Sequence, residues 1–252
     1  MMEYIKVLVL FGVGTIAGFM NVMAGGGSSL TIPALILFMG LEGAKANGTN
    51  RVAVALQNVF AILSFRKREI HDFKNSFQLS VFTLPGAIAG AFLANITPDA
   101  WFKRILAIVL FGIVCSMLLS SSQKNKSQKT IARGRKTWFI YPVMLGIGCY
   151  GGFIQIGVGF LFMAALYHIL KLDLVHVNMH KVFIVLVYTV PALLIFMWYR
   201  NVNWEYGLYL AAGNAFGAWW GAHFAVKGGE KVIRYILALA ILSMSAKLLG
   251  IF

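Results

Sequence analysis

Long apolar runs separated by short polar connectors set the pattern of the chain. Val7 to Leu41 contains no charged residue, which is too long for one membrane span of about 20 residues and too short for two spans and a loop. Gly25 to Gly27 interrupt this run and two serines follow. Glycines break helices and serines cap them, so the pattern predicts a second, shorter helix from about Ser29 to Gly40. A cleaved signal peptide that ends near Ala24 is the competing interpretation.

Eight further apolar segments follow. They cover residues 52–65, 75–95, 101–120, 138–156, 160–170, 177–198, 204–226 and 231–251. The fourth and fifth of these are separated by Gly157-Val158-Gly159, a second glycine break. A polar linker at 121–137 separates a first transmembrane repeat, 1–120, from a second, 138–252. The pattern predicts an all-α polytopic membrane protein with glycine-broken helices that are short or re-entrant.

The two halves repeat each other in residues as well as in hydropathy. Gly25-x-Gly27 matches Gly157-x-Gly159 at an offset of 132, and Asn47 matches Asn178 at 131. Gly86-x-x-x-Gly90 matches Gly213-x-x-x-Gly217 at 127. About five segments per half is an odd number, so the second repeat is predicted to be inverted relative to the first, whether the short segments cross or re-enter. Inverted repeats with matching breaks indicate a secondary transporter whose site lies where the breaks meet.

Composition and charge support a membrane protein and limit its partners. Hydrophobic residues make up 60% of the chain and charged residues 12%, with a mean hydropathy of +0.79. The net charge of +14 lies mainly in the connector 66–74, the linker 121–137 and other connectors on the same side. The positive-inside rule explains this distribution and places that side in the cytoplasm with both termini outside. Nucleic acid is not indicated as a partner, and Cys115 and Cys149 show neither disulfide nor metal-ligand spacing.

The glycine breaks and the polar motifs after them indicate anion binding. A helix that starts at a break inside the membrane presents unpaired N–H groups and a partial positive charge. Two polar motifs, which start at Asn47 and Asn178, are expected to cap two further helices. Arg51 and Lys181 follow these motifs, and a cation within a membrane span is usually functional. The candidate substrate-binding residues are Gly25, Gly26, Gly27, Ser28, Asn47, Thr49, Asn50, Arg51, Gly157, Gly159, Asn178, His180 and Lys181.

These assignments have structural alternatives. The glycines could serve close helix packing, which is the favoured interpretation for Gly86, Gly90, Gly213 and Gly217. The side chains of Arg51 and Lys181 could instead extend to a nearby membrane–water interface. His180 could bind the anion, transfer a proton, or be a satisfied core histidine.

The residue types that the apolar segments lack argue against other classes of membrane protein. No carboxylate lies in the middle of an apolar segment, so the acidic proton relay or sodium ligand of many pumps and symporters is absent. A membrane enzyme would need paired carboxylates, a nucleophile with its base or a His-rich cluster in the spans, and none is present. No metal site or cofactor is indicated. For a cell with a negative interior, the membrane potential itself favours anion exit.

The paired motifs resemble a known family. The pattern Gly18-x6-Gly25-Gly26-Gly27-Ser28-x4-Pro33, then Ala46 to Arg51, and in the second half Gly157-x-Gly159 and Asn178-x-His180-Lys181, is similar to the sulfite exporter TauE/SafE family, the TSUP permeases. This resemblance implies a permease for small sulfur-containing or organic anions, such as sulfite, sulfonates and thiosulfate, in the bacterial inner membrane. A channel-like facilitator and an accessory subunit without its own transport are the alternatives. The oligomeric state, including a homo-oligomer, is left open.

Overall fold

The computed structural model describes residues 2–23, 25–67, 69–119 and 137–224. The linker residues 121–136 and the last predicted segment, 231–251, lie outside this part of the chain. Within it, nine α-helices and one short 3₁₀ helix form, and no strand does. The helices are α1 (Met2–Met23), α2 (Ser28–Met39), α3 (Gly43–Lys67), α4 (Phe73–Ile96), α5 (Asp99–Leu119), the 3₁₀ helix (Thr137–Phe139), α6 (Ile140–Phe153), α7 (Val158–Leu170), α8 (Leu174–Trp198) and α9 (Trp204–Phe224). The prediction of an all-α polytopic membrane protein is confirmed.

The helices fall into two length classes, and the short helices α2, α6 and α7 all adjoin a glycine break. In the described ranges, three helices are long and apolar enough to cross a membrane: Tyr4–Val22, Phe73–Ile96 and Val175–Trp198. At 1.5 Å per residue, α2, α6 and α7 are only about 18 to 21 Å long, less than the roughly 30 Å of a bilayer core. α7 contacts both α6 and the 3₁₀ helix that precedes α6. The second break therefore folds back as a hairpin, which favours the re-entrant alternative for α7.

The polar motifs lie inside helices and do not cap them. α3 begins at Gly43 and includes Asn47 to Arg51, whereas the sequence predicts a helix only from about Val52. Likewise, α8 begins before Asn178 and is capped by Asp173, whose carboxylate accepts the N–H of Val175 and of His176. Partial burial raises the pKa of Asp173, but these bonds outweigh it and hold the pKa below its ordinary value. The capping prediction for the two motifs is wrong because their side chains bond to other helices.

The predicted serine cap of α2 is also wrong. Gly27 occupies the N-cap position and makes no side-chain capping bond. The hydroxyl of Ser29 donates to the carbonyl of Gly26, and Ser28 lies in the first turn of the helix, bonded to α3 as described below. The first turn of α2 is therefore held to α3 through Ser28 and Thr31 and has no serine cap.

Helices of one half pack on helices of the other half through glycines. α1 packs along α9 and α4 along α6. A Cβ atom on Gly18 would lie 2.8 Å from the Cα of Asn214, and one on Gly152 would lie 2.8 Å from the Cα of Ala87. The four glycines that we expect to serve close packing contact the partner backbone in the same way, at Leu145, Cys149, Phe11 and Thr15. The packing interpretation of Gly86, Gly90, Gly213 and Gly217 is therefore confirmed.

Apart from the two glycine breaks, the connectors of the described chain lie at two opposite ends of the helices. At the first end, the N–H of Gly43 donates to the Asp99 carboxylate at 2.6 Å, and Asn201 Nδ2 donates to Asn95 Oδ1 at 2.7 Å. At the second end, the rings of Phe73 and Phe183 lie 5.8 Å apart. α3 therefore begins at the first end, while α8, its counterpart in the second half, begins at the second end. An inverted repeat requires these positions, and the repeat itself stays a prediction.

The orientation of these ends in the membrane gives a first testable prediction. The linker 121–137, with six basic residues, follows α5 in the chain, and α5 begins at the first end, so we expect the second end to face the cytoplasm. Lys74 lies at the second end and Glu205 at the first, and both are exposed. In a Cys115→Ser, Cys149→Ser background, Lys74→Cys should react with an impermeant maleimide only from the cytoplasm and Glu205→Cys only from outside. Reaction of both positions from one side contradicts this topology.

Candidate functional site

The two glycine breaks meet backbone against backbone. Gly25 and Gly157 have φ values of 85° and 66°, a region that side-chain-bearing residues rarely adopt. A Cβ atom on Gly159 would lie 2.5 Å from the Cα of Gly25, and one on Gly25 would lie 2.8 Å from the Cα of Gly159. Only glycines allow this approach, so the starts of α2 and α7 and the ends of α1 and α6 come together at one place.

Lys181 on α8 binds the end of α1. Its Nζ donates to the carbonyl of Asn21 at 3.0 Å and to Asn178 Oδ1 at 2.7 Å, and the residue is 3% exposed. α1 ends at Met23, so this carbonyl, which also accepts the N–H of Gly25 at 3.0 Å, belongs to the last turn, where the helix dipole is negative. The ammonium group thus completes the end of a helix from the other half.

Arg51 on α3 binds the end of α6 in the same manner. Its Nη2 donates to the carbonyl of Gly151 at 3.0 Å and also to that of Gly152, while Asn47 Nδ2 donates to the carbonyl of Phe153 at 2.7 Å. The guanidinium lies 4.7 Å from the ring centroid of Phe196. Arg51 is fully buried, and its Nε and Nη1 have no hydrogen-bond partner. Each half therefore supplies a cation to the broken helix of the other half.

Asn50 connects the start of α2 to α3. Its Nδ2 donates to Ser28 Oγ at 3.1 Å, and its Oδ1 accepts the hydroxyl of Thr31 at 2.6 Å. All three residues are buried. The polar motif of α3 therefore holds both short elements beside it, the end of α6 through Arg51 and the start of α2 through Asn50.

A small cavity lies where these groups meet and has space for about one water molecule. The polar and charged side chains that line it come from both halves. They are Asn21, Ser28, Asn58, Gln155 and Lys181, with Gly159 and the apolar Val54, Val158 and Val185 completing the wall. Gln155 is 1% exposed, and its Oε1 has no hydrogen-bond partner. The cavity is thus a buried polar site with one cation and no carboxylate.

A family model described as sulfite exporter TauE/SafE matches residues 10–248. The chain belongs to this family. It is a membrane transporter, and a TauE/SafE permease acts on a small substrate within a lipid environment.

Curated relatives of this permease are similar over nearly their whole length. The chain is 29% identical over 243 residues to the probable membrane transporter protein ORF9 of Sinorhizobium sp, covering 96% of this chain and 91% of the relative. It is 28% identical to the probable membrane transporter protein YfcA of Escherichia coli (strain K12), with coverages of 96% and 88%. It is 25% identical to the probable membrane transporter protein YunE of Bacillus subtilis (strain 168), with coverages of 97% and 98%. No solved structure matches at a significant level.

Not all candidate residues of the permease reach the cavity. Ser28, Gly159 and Lys181 line it. Asn50 bonds to Ser28, and Asn178 bonds to Lys181. Asn47 and Arg51 contact the end of α6 and do not line the cavity. Thr49 Oγ1 instead accepts the N–H of Asn203, at 2.9 Å, in the connector between α8 and α9. His180 Nδ1 lies 2.8 Å from Ser76 Oγ on α4, so His180 faces away from the breaks although it neighbours Lys181.

Three cavity residues of the permease were missed from the sequence, namely Asn21, Asn58 and Gln155. Each is a lone amide within or beside an apolar run, and an amide inside a membrane is expected to have a partner or a role. In the described part of the chain, no group of three or more His, Cys, Asp or Glu residues could hold a metal ion. The polar side chains that line the cavity are three amides, one hydroxyl and one ammonium group.

Proposed function

We propose that this permease is a secondary transporter of small anions and not an enzyme. Its substrates would be small sulfur-containing or organic anions, such as sulfite, sulfonates or thiosulfate, and its location the bacterial inner membrane. The observation that carries the proposal is the pair of buried cations, Arg51 and Lys181, whose partners at the meeting point of the two breaks are all neutral. A buried charge with only neutral partners is costly, and an anion would offset it.

The helix ends at the breaks support the same conclusion. Val158 and Gly159, the first two residues of α7, lie in the cavity wall, as does Ser28, the first residue of α2. Helix N-termini carry a partial positive charge and N–H donors, which suit oxyanions. Two such ends and one ammonium group would face the same bound ion.

The distribution of carboxylates supports an anion rather than a cation. In the described ranges, the side chains of Asp and Glu lie in connectors or at helix ends, and the ion pair between Lys103 and Asp99, at 2.6 Å, is partly exposed. No carboxylate among these residues approaches the cavity. A cation would find no counter-charge at the site.

Flux through the purified chain tests the proposed function. Proteoliposomes that contain only this chain should release trapped sulfite, methanesulfonate or acetate faster than protein-free liposomes. Counterflow, in which anion on one side accelerates exit from the other, separates a transporter from a channel-like facilitator. An accessory subunit would show no flux on its own. Absence of both flux and ligand-induced thermal stabilisation for the whole panel contradicts the proposal.

Arg51→Gln should reduce anion binding by at least about tenfold while folded yield stays near that of the wild type, because Arg51 holds the end of α6 next to Gln155 of the cavity wall. The hydrogen bonds lost at α6 are offset because a buried charge without a counter-ion no longer has to be desolvated. Arg51→Lys should fall in between, since an ammonium cannot reproduce the planar guanidinium. Arg66→Gln, at an exposed position of the same helix, is the matched control. Ligand-dependent thermal shifts provide the measurement, and unchanged binding in Arg51→Gln would remove Arg51 from the site.

A further inference from the structure

We infer that the cavity at the breaks selects anions with one negative charge over dianions of the same shape. This inference rests on the proposed function and refines its substrate class. Among the polar side chains that line the cavity, Lys181 is the single cation. The other four, those of Asn21, Ser28, Asn58 and Gln155, are neutral.

The partners of Lys181 leave its charge uncompensated. Its Nζ contacts the carbonyl of Asn21, at 3.0 Å, and Asn178 Oδ1, at 2.7 Å, and both acceptors are uncharged. One negative charge in the cavity would complete an ion pair with this ammonium. A second negative charge would remain unpaired in surroundings of low dielectric constant, which disfavours a dianion strongly.

Arg51 does not supply the second positive charge. Its guanidinium is directed at the carbonyls of Gly151 and Gly152 and is not part of the cavity wall. There it faces the partial negative charge at the end of α6. At the breaks, the positive starts of α2 and α7 are opposed by the negative ends of α1 and α6, so Lys181 remains the only full charge that an anion meets in the cavity wall.

The hydrogen-bonding groups of the wall also disfavour a fully ionised dianion. Gln155 Nε2 donates to Thr189 Oγ1 at 3.3 Å, and Gln155 Oε1 is a buried acceptor without a partner. Sulfate and methanesulfonate both have acceptors only, so the oxygens of either ion would face this carbonyl oxygen, and the group distinguishes protonated from fully ionised oxyanions. A singly protonated oxyanion, such as hydrogensulfite, carries an O–H that can donate to it.

The small volume of the cavity favours a small ion. With space for about one water molecule, the cavity admits an oxyanion only when the breaks at Gly25 and Gly159 move apart. A compact monoanion requires the smallest separation of these two backbones. Size therefore restricts the substrate to small ions, and charge selects among them.

Methanesulfonate and sulfate test charge selection because both are tetrahedral at sulfur and differ in charge. Thermal stability of the purified full chain should rise with methanesulfonate at a concentration at least about tenfold lower than with sulfate, at equal ionic strength. Sulfate should likewise compete poorly with methanesulfonate for flux in proteoliposomes. Lys181→Met should lose the response to methanesulfonate. Lys74→Met, which removes an exposed cation, should keep both the response and the preference.

A second variant covers the case in which Lys181→Met does not fold. Asn58→Asp places a carboxylate in the cavity wall, where it would pair with Lys181, preserve folding and displace the anion. Equal stabilisation by the two ions, or a preference that persists in Asn58→Asp, overturns the inference while leaving the proposed function intact if either ion is transported. No response and no flux with any anion overturns both.

Discussion

Gly159→Ala should abolish transport, whereas Gly146→Ala should leave it unchanged. A methyl group on Gly159 would lie 2.5 Å from the Cα of Gly25, but one on Gly146 meets no atom within 4 Å. The obstacle at Gly159 is backbone, which cannot move aside as a flexible side chain does. The first turn of α7 would have to leave the break, and the cavity wall would lose its shape.

The expected loss is at least about tenfold in flux, since overpacking a well-packed site commonly costs 1–3 kcal/mol. Flux in proteoliposomes, normalised to folded protein by size-exclusion chromatography, measures it. Gly25→Ala should behave like Gly159→Ala, because Gly25 also has a positive φ. Transport at the wild-type rate in Gly159→Ala would show that the meeting of the breaks has no role in function.

A membrane potential of 100 mV should change the equilibrium distribution of a transported monoanion by about 50-fold. This ratio corresponds to roughly 2.3 kcal/mol per charge per 100 mV. The prediction follows from the carboxylates of the described chain, which lie away from the cavity and supply no acidic relay. Potassium gradients with valinomycin set the potential, and trapped substrate is measured without sodium or a proton gradient.

The response to pH separates two coupling mechanisms. If His180 transfers a proton, the pH dependence of flux should vanish in His180→Gln. The contact of His180 with Ser76, at 2.8 Å on the side away from the breaks, argues against this mechanism. If the anion carries its own proton, the pH effect should persist in His180→Gln and change with the pKa of the substrate. A strict sodium requirement at fixed potential would contradict both mechanisms and indicate a cation site on the carbonyls of the breaks.

The sequence predicts the broken helices well because their cause is local. Gly25 to Gly27 and Gly157 to Gly159 interrupt apolar runs, and the chain has no other way to continue there than a turn with positive φ. The start of α3 was predicted wrongly because a polar run next to an apolar one is typical of a connector. In α3, most of the buried polar residues instead recur on one helical face, at Asn47, Asn50, Arg51, Gln57, Asn58 and Ser64, while Thr49 lies on another face.

Local sequence patterns do not reveal which residues these polar side chains contact. Arg51 contacts residues one hundred positions away, and Lys181 contacts one 160 positions away. Which helix end receives which cation depends on how the two halves pack. The sequence identifies the cations, while the crossed contacts are visible only in the fold.

The packing of α1, in the first half, on α9, in the second half, has a consequence for synthesis of the chain. α1 is made first, and the surface that receives its glycines lies on a helix almost two hundred residues later in the chain. Until α9 enters the bilayer, the glycine face of α1 has only lipid or the insertion machinery beside it. Truncated chains that end before α9 should therefore be recognised by membrane proteases, and the first half should be rescued when the second half is co-expressed as a separate polypeptide.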